Sequence, residues 1–158
     1  MSIKKTDARE YAFNFFFQHI SSEGLNGLHE HAQKSNDPRY IDQLLDNFNL
    51  SYFIEDDEKD QSTNQLSDDQ LFYARKIIVK TLNEIENTIS LLNSSLKNKN
   101  LGDLSPVEQS ILTLALGEKE AMKEIPKAVI LNEYIELSKK YGSNESYSLI
   151  NGVLDKLI

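Results

Sequence analysis

The sequence predicts an all-α protein of six to seven helices. Apolar residues recur at spacings of three and four along most of the chain, as on the buried face of an amphipathic helix. Cap residues and prolines stand in front of several of these segments. No segment shows the two-residue alternation of a half-buried strand. The 158 residues match one domain, so residues 1–158 are expected to share a single core.

The first two helices are predicted on either side of a polar connection. Residues 21–35 are polar and include Gly24 and Gly27, which is typical of a connection. Asp37 and Pro38 then form a helix start, because the acid caps free N–H groups and proline needs none at the first helical position. The first helix carries an apolar face made of Ala8, Tyr11, Ala12, Phe13, Phe15, Phe16 and Phe17. His19 continues this face and is expected to lie at the edge of the core.

A polar, acidic loop is predicted around residues 55–66, because the charged run from Glu55 to Asp60 cannot bury a face. Ser67 and Gln70 follow as a capping box. They start the longest periodic segment, which is expected to break near residues 87–90.

Three more helices are predicted in the last third of the chain. Residues 105–108, Ser-Pro-Val-Glu, combine a cap, a proline and a capping-box acid. The helix that follows is apolar on most sides and is expected to end near Gly117 and Glu118. Pro126 opens the next helix, and Tyr141-Gly142 closes it. The last helix begins after Ser143.

Composition limits the function classes. The 17 basic and 25 acidic residues give a net charge of −8, which repels nucleic acid at long range, so any RNA contact needs a local basic patch. The absence of cysteine excludes disulfides and thiol catalysis. No apolar run is long enough for a membrane span and no signal peptide is recognised, so a cytoplasmic location is expected.

Chemistry-bearing motifs are few. His29 and His31 are two residues apart in a glycine-flanked polar segment, and metal-binding helices prefer histidines four apart. They are expected to be solvated loop residues, so no metal site is assigned. No nucleophile–base arrangement is visible, and neither an enzyme nor a cofactor is expected.

The start of the chain carries a basic segment. Lys4, Lys5 and Arg9 precede or open the first helix and are expected to be exposed, where they would contact phosphates or form an ordinary charged terminus. The aromatic residues 11–17 could stack on bases, but their helical spacing favours core packing. Asn151-Gly152 lies inside a helix and indicates close helix packing.

The strongest motif is a resemblance at the C-terminal end. Ile125-Pro126, VILNEYIELSK (residues 129–139), Tyr141-Gly142 and INGVLDK (residues 150–156) together resemble the signature of the bacterial NusB family. Ala8-Arg9-Glu10, and residues 107–115 in the central helix, are similar to further parts of that family.

The resemblance implies an all-helical domain built of two small helical bundles. It implies a non-enzymatic antitermination factor without a cofactor. The expected partners are single-stranded boxA-type RNA of ribosomal RNA transcripts, the ribosomal protein NusE and the antitermination complex on RNA polymerase.

The resemblance also guides the choice of site residues. Lys4, Lys5 and Arg9 are the expected RNA contacts, and Lys139 and Lys140 are secondary candidates. The expected contacts to the basic partner protein are Glu108 and Glu118.

A second hypothesis stays open. The net charge of −8 and the single acid inside the basic segment favour a protein-interaction module or homodimer of the same fold that has lost RNA binding.

Overall fold

The computed structural model describes residues 4–53 and 66–158. Over these residues it contains seven α-helices and no strand, which confirms the all-α prediction. The predicted acidic loop lies almost entirely outside the described residues. The helices are α1 (Lys5–Gln33), α2 (Pro38–Tyr52), α3 (Asp68–Asn83), α4 (Ile85–Ser95), α5 (Pro106–Ala121), α6 (Lys127–Tyr141) and α7 (Asn144–Leu157).

The predicted helix starts are confirmed by their hydrogen bonds. The Asp37 side chain accepts from the backbone of Arg39 at 3.0 Å and begins α2. Ser67 and Gln70 form the full capping box of α3, with bonds of 3.1 and 2.9 Å. Ser105 and Ser143 cap α5 and α7 with one bond each, as their side chains accept from the backbone N–H groups of Glu108 and Ser146.

Helix α1 is longer than predicted. The expected connection at residues 21–35 is largely helical, and the chain bends inside it at Gly24, where φ is +72° and ψ is −178°. Glycine adopts this left-handed conformation without the steric cost that a Cβ brings. The bend gives α1 two arms, which we call α1a (residues 5–23) and α1b (residues 25–33).

Two other boundaries differ from the prediction. The long periodic segment breaks at Glu84, between α3 and α4, and not at residues 87–90. Helix α5 continues past Gly117 and Glu118 as far as Ala121.

Helix α5 lies at the centre of the core. Every residue from Gln109 to Glu118 is buried, and α5 contacts α1, α3, α4, α6 and α7. The buried apolar side chains form one cluster, so the N-terminal and C-terminal helices share a core. Aromatic side chains join α1 to α2: the Tyr11 and Phe48 rings meet edge to face with centroids 5.0 Å apart.

Within the described residues, no helix combines the length and the apolar character that crossing a membrane requires.

Candidate nucleic-acid interface

Helices α1a and α6 run side by side in the same direction. The Thr6 hydroxyl donates to the Glu133 carboxylate at 3.0 Å. Four residues further along α1a and seven further along α6, the Lys140 ammonium donates to Glu10 at 2.5 Å. The ring centroids of Phe13 and Tyr141 then lie 4.7 Å apart. The exposed or half-buried side chains along this contact and at its N-terminal end form what we call the α1–α6 surface: Lys4, Lys5, Phe17, Lys139, Lys140 and Tyr141.

Four of the five basic residues predicted from the sequence reach this surface. Lys4, Lys139 and Lys140 are exposed, and Lys5 is half-buried with its ammonium 5.7 Å from the centre of the Tyr73 ring. Lys139 pairs with Glu136 at 3.2 Å, and the hydrogen bond from Lys140 to Glu10 raises the pKa of Lys140. These lysines can reach phosphates, but Lys139 and Lys140 already have acidic neighbours.

Two aromatic rings of the surface are open to solvent. Phe17 and Tyr141 are each 37% exposed, and Phe17 stacks on the buried Phe13 with centroids 5.9 Å apart. The prediction that aromatic residues 11–17 belong to the core is wrong for Phe17. Tyr141 was predicted only as a helix end, and no sequence signal marks its exposure. Rings held in this way offer faces on which unpaired bases can stack.

The prediction that Arg9 is exposed is wrong. Its side chain is buried, with 2% of the residue exposed, under α5 and α6. The guanidinium donates to both oxygens of Glu118 and lies 3.6 Å from Glu133. Burial alone would lower the pKa of Arg9, but the hydrogen bond and charge of Glu118 raise it overall. Arg9 is therefore not available to RNA phosphates.

The structure contradicts the prediction that Glu118 contacts the partner protein. It is completely buried in α5, where its carboxylate also accepts from the Tyr73 hydroxyl at 2.6 Å and from the Tyr134 hydroxyl at 2.7 Å. Burial and then the charge of Glu118 raise the pKa of Tyr134 well above its usual value. A carboxylate enclosed by these donors cannot contact a partner protein.

Glu108 lies near the surface, but less exposed than predicted. It is half-buried at the start of α5, where its carboxylate accepts from the hydroxyls of Ser105 at 2.9 Å and Ser146 at 3.3 Å. The acid thus joins the N-terminal ends of α5 and α7, where a negative charge is favourable.

The two histidines predicted to lie in a solvated loop are instead in α1b. His29 is near Glu86 of α4, and His31 is half-buried with its ring bonded to the Tyr40 hydroxyl. The loop prediction failed because the sequence does not show that helix resumes after Gly24.

The fold and this surface define an all-helical protein that carries four lysines and two exposed aromatic rings along one contact between helices. The model of the NusB family matches residues 6–158. The chain therefore belongs to the NusB family, and the curated relatives that it matches are transcription antitermination proteins rather than enzymes.

Curated relatives agree with this assignment. The transcription antitermination protein NusB of Clostridium botulinum (strain Loch Maree / Type A3) is 37% identical over 156 residues, covering 99% of this chain and 100% of the relative. The protein of the same name from Histophilus somni (strain 2336) is 32% identical over 133 residues, covering 84% and 83%.

Solved structures agree as well. T. maritima NusB superposes with a TM-score of 0.70 and 25% identity, covering 99% of this chain and 92% of the other. A crystal structure of antitermination factors NusB and NusE in complex with double-stranded RNA gives a TM-score of 0.67 at 20% identity, covering 96% and 93%. The second likeness concerns the fold alone.

Proposed function

We propose that this chain is an RNA-binding transcription antitermination factor. It would bind boxA-type RNA during ribosomal RNA transcription, together with the ribosomal protein NusE, within the antitermination complex on RNA polymerase. Membership in the NusB family supports the general role, and the relatives carry the name of transcription antitermination proteins.

The observation that carries the proposal is the composition of the α1–α6 surface. Lys4 and Lys5 lie at the N-terminal end of α1, and Lys139 and Lys140 lie in the last turn of α6. Tyr141 adds an exposed ring directly beside the second pair. Ammonium groups supply the phosphate contacts of single-strand binding, and aromatic rings supply sequence-tolerant stacking.

The overall charge argues for a basic partner. A net charge of −8 opposes RNA at long range but attracts a basic ribosomal protein. Glu108 remains our proposed contact to NusE because its carboxylate lies near the surface at the start of α5. Glu118 is not proposed, because it is buried.

A second candidate function is an interaction module or homodimer without RNA binding. The acids beside two of the proposed contacts favour it: Glu136 pairs with Lys139, and Glu10 pairs with Lys140. Each pair leaves less net positive charge for a phosphate.

A partner-dependent RNA titration separates the two functions. Fluorescence anisotropy would follow a labelled single-stranded boxA-type RNA titrated with the protein, with and without NusE, at several salt concentrations. We expect binding that NusE strengthens and salt weakens. No binding at low salt even with NusE would overturn RNA binding, and a two-fold larger mass in light scattering would support the homodimer.

A further inference from the structure

The bend at Gly24 brings three potential metal ligands together. His19 and His31 are twelve residues apart, which in a straight helix would separate them by about 18 Å along the axis. Instead their ring centroids are 4.9 Å apart, because α1b folds back beside the end of α1a. Glu23 lies between them, one helical turn after His19.

The nitrogen and oxygen atoms of this cluster converge. The Nδ1 atom of His19 lies 3.5 Å from one oxygen of Glu23, and the Nε2 atom of His31 lies 3.1 Å from the other. One ligand atom from each of the three residues lies within 4.8 Å of the other two. In a tetrahedral zinc site with bonds of about 2.1 Å, neighbouring ligand atoms are about 3.4 Å apart, so both measured distances are close to that spacing.

Tyr40 of α2 orients one of these ligands. Its hydroxyl oxygen lies 2.5 Å from Nδ1 of His31, on the side of the ring away from Glu23. With the hydrogen on Nδ1, that atom donates to Tyr40 and leaves the lone pair of Nε2 free to face Glu23. Metal-binding histidines commonly donate their second ring N–H to an oxygen in this way.

The surroundings allow both ligation and access. The side chains of His19 and His31 are 15% and 13% exposed, whereas that of Glu23 is 42% exposed and leaves a path for an ion and for water. Gly27 of α1b leaves room for Glu23, since a Cβ added there would lie 2.4 Å from the Cβ of Glu23.

We propose that His19, Glu23 and His31 form a site for a divalent transition-metal ion of the zinc class. Two imidazoles and one carboxylate are a ligand set that zinc and its neighbours accept, and a water completes the coordination. The ion would tie α1a to α1b and, through Tyr40, to α2. This proposal does not depend on the RNA-binding function.

The test is a titration of the untagged protein with Zn²⁺ in a calorimeter. We expect one equivalent to bind, and we expect His19→Gln and His31→Gln each to weaken binding more than tenfold. Tyr40→Phe, which removes the orienting hydroxyl, should weaken binding about 10–100-fold. The matched control is His29→Gln on the same arm, since His29 lies outside the cluster near Glu86 and should bind Zn²⁺ as the unmutated protein does.

A second measurement covers variants that fold poorly. Thermal unfolding in EDTA shows which variants are intact, and Co²⁺ bound to the unmutated protein should give the intense visible absorption of a four-coordinate site. The absence of saturable Zn²⁺ binding would overturn the proposal. So would equal binding by His19→Gln and His31→Gln, an equal loss in His29→Gln, or a Co²⁺ spectrum of the hydrated ion.

Discussion

Arg9 and Glu118 form a completely enclosed ion pair between the first helix and the central helix. The Nη2 atom of Arg9 lies 2.7 Å from Oε2 of Glu118, and Nε donates to both carboxylate oxygens at 2.9 Å. Hydroxyls of Tyr73 and Tyr134 complete the shell of the carboxylate. No buried side-chain polar atom of the described residues lacks a partner, so the charges are compensated where they lie.

Removing one partner of this pair should destabilise the fold strongly. Arg9→Ala leaves the Glu118 carboxylate buried without its cation, which costs about 3–5 kcal/mol in the free energy of unfolding. Urea denaturation followed by circular dichroism measures the change.

An exposed arginine provides the control for that measurement. Arg75 pairs with Asp42 where both side chains are partly open to solvent, so Arg75→Ala should cost less than about 1 kcal/mol. Equal losses from Arg9→Ala and Arg75→Ala would contradict the assigned burial.

Replacing either of two glycines by alanine should change the stability of the fold, and the two changes should have opposite signs. A Cβ at Gly117 would lie 1.9 Å from the hydroxyl oxygen and 2.9 Å from the Cα atom of Thr81, so Gly117→Ala forces α3 and α5 apart and should cost about 1–3 kcal/mol. Gly152 has no heavy atom within 4 Å of a new Cβ, so Gly152→Ala should stabilise α7 by about 0.5–1 kcal/mol. Thermal melting of both variants measures whether the melting temperature falls for Gly117→Ala and rises for Gly152→Ala. A lower melting temperature for Gly152→Ala would contradict the prediction.

Stability should fall at alkaline pH. Burial raises the pKa of Tyr11 to about 12, so the folded protein keeps this proton while the unfolded chain loses it near its ordinary value of 10.0. The stabilisation is fully present below pH 10 and is lost as the pH rises toward 12. Urea denaturation between pH 8 and pH 11 should show the decline, and Tyr11→Phe should reduce its slope. A flat profile in the unmutated protein would be inconsistent with the buried hydroxyl.

The exposed rings of the α1–α6 surface should contribute to the affinity for RNA. Phe17→Ala removes a proposed stacking face and should weaken RNA binding by about 1–3 kcal/mol. The control is Phe72→Ala, because Phe72 is a 63% exposed ring on α3 and does not belong to the α1–α6 surface. Anisotropy titrations with the same RNA compare the two, and a larger loss from Phe72→Ala would place the stacking surface elsewhere.

Local signals predicted the helices well. The caps at Asp37, Ser67, Ser105 and Ser143 all begin helices, because a cap acts through hydrogen bonds within four residues of itself. The bend at Gly24 was not predicted, because a glycine in a polar segment indicates a loop as readily as a bend within a helix.

The site residues were harder to predict because their surroundings are distant in sequence. Arg9 and Glu118 are 109 residues apart, and only the packing of α5 on α1 shows that they pair. A partial signal existed: Arg9 lies three, four and seven residues before Ala12, Phe13 and Phe16, on the apolar face. Gly152 was predicted to mark close packing, but Asn151 and Gly152 are both exposed.

The most direct test of the α1–α6 surface is the salt dependence of RNA binding after two lysines are removed. If Lys4 and Lys5 both contact phosphates, Lys4→Ala/Lys5→Ala should lower the slope of log K against log salt by about 1.4. The control is Lys97→Ala/Lys99→Ala, which changes two exposed lysines between α4 and α5.

The position of these control lysines makes the comparison informative. The connection that carries them reaches Gly102, which shares a cavity with Gly24 at the far end of α1a. That end is about 28 Å along the helix from Lys5. We predict a reduced slope and weaker binding for the Lys4/Lys5 variant alone. An unchanged slope in that variant, or the same reduction in both, would contradict an RNA-binding surface at the start of α1.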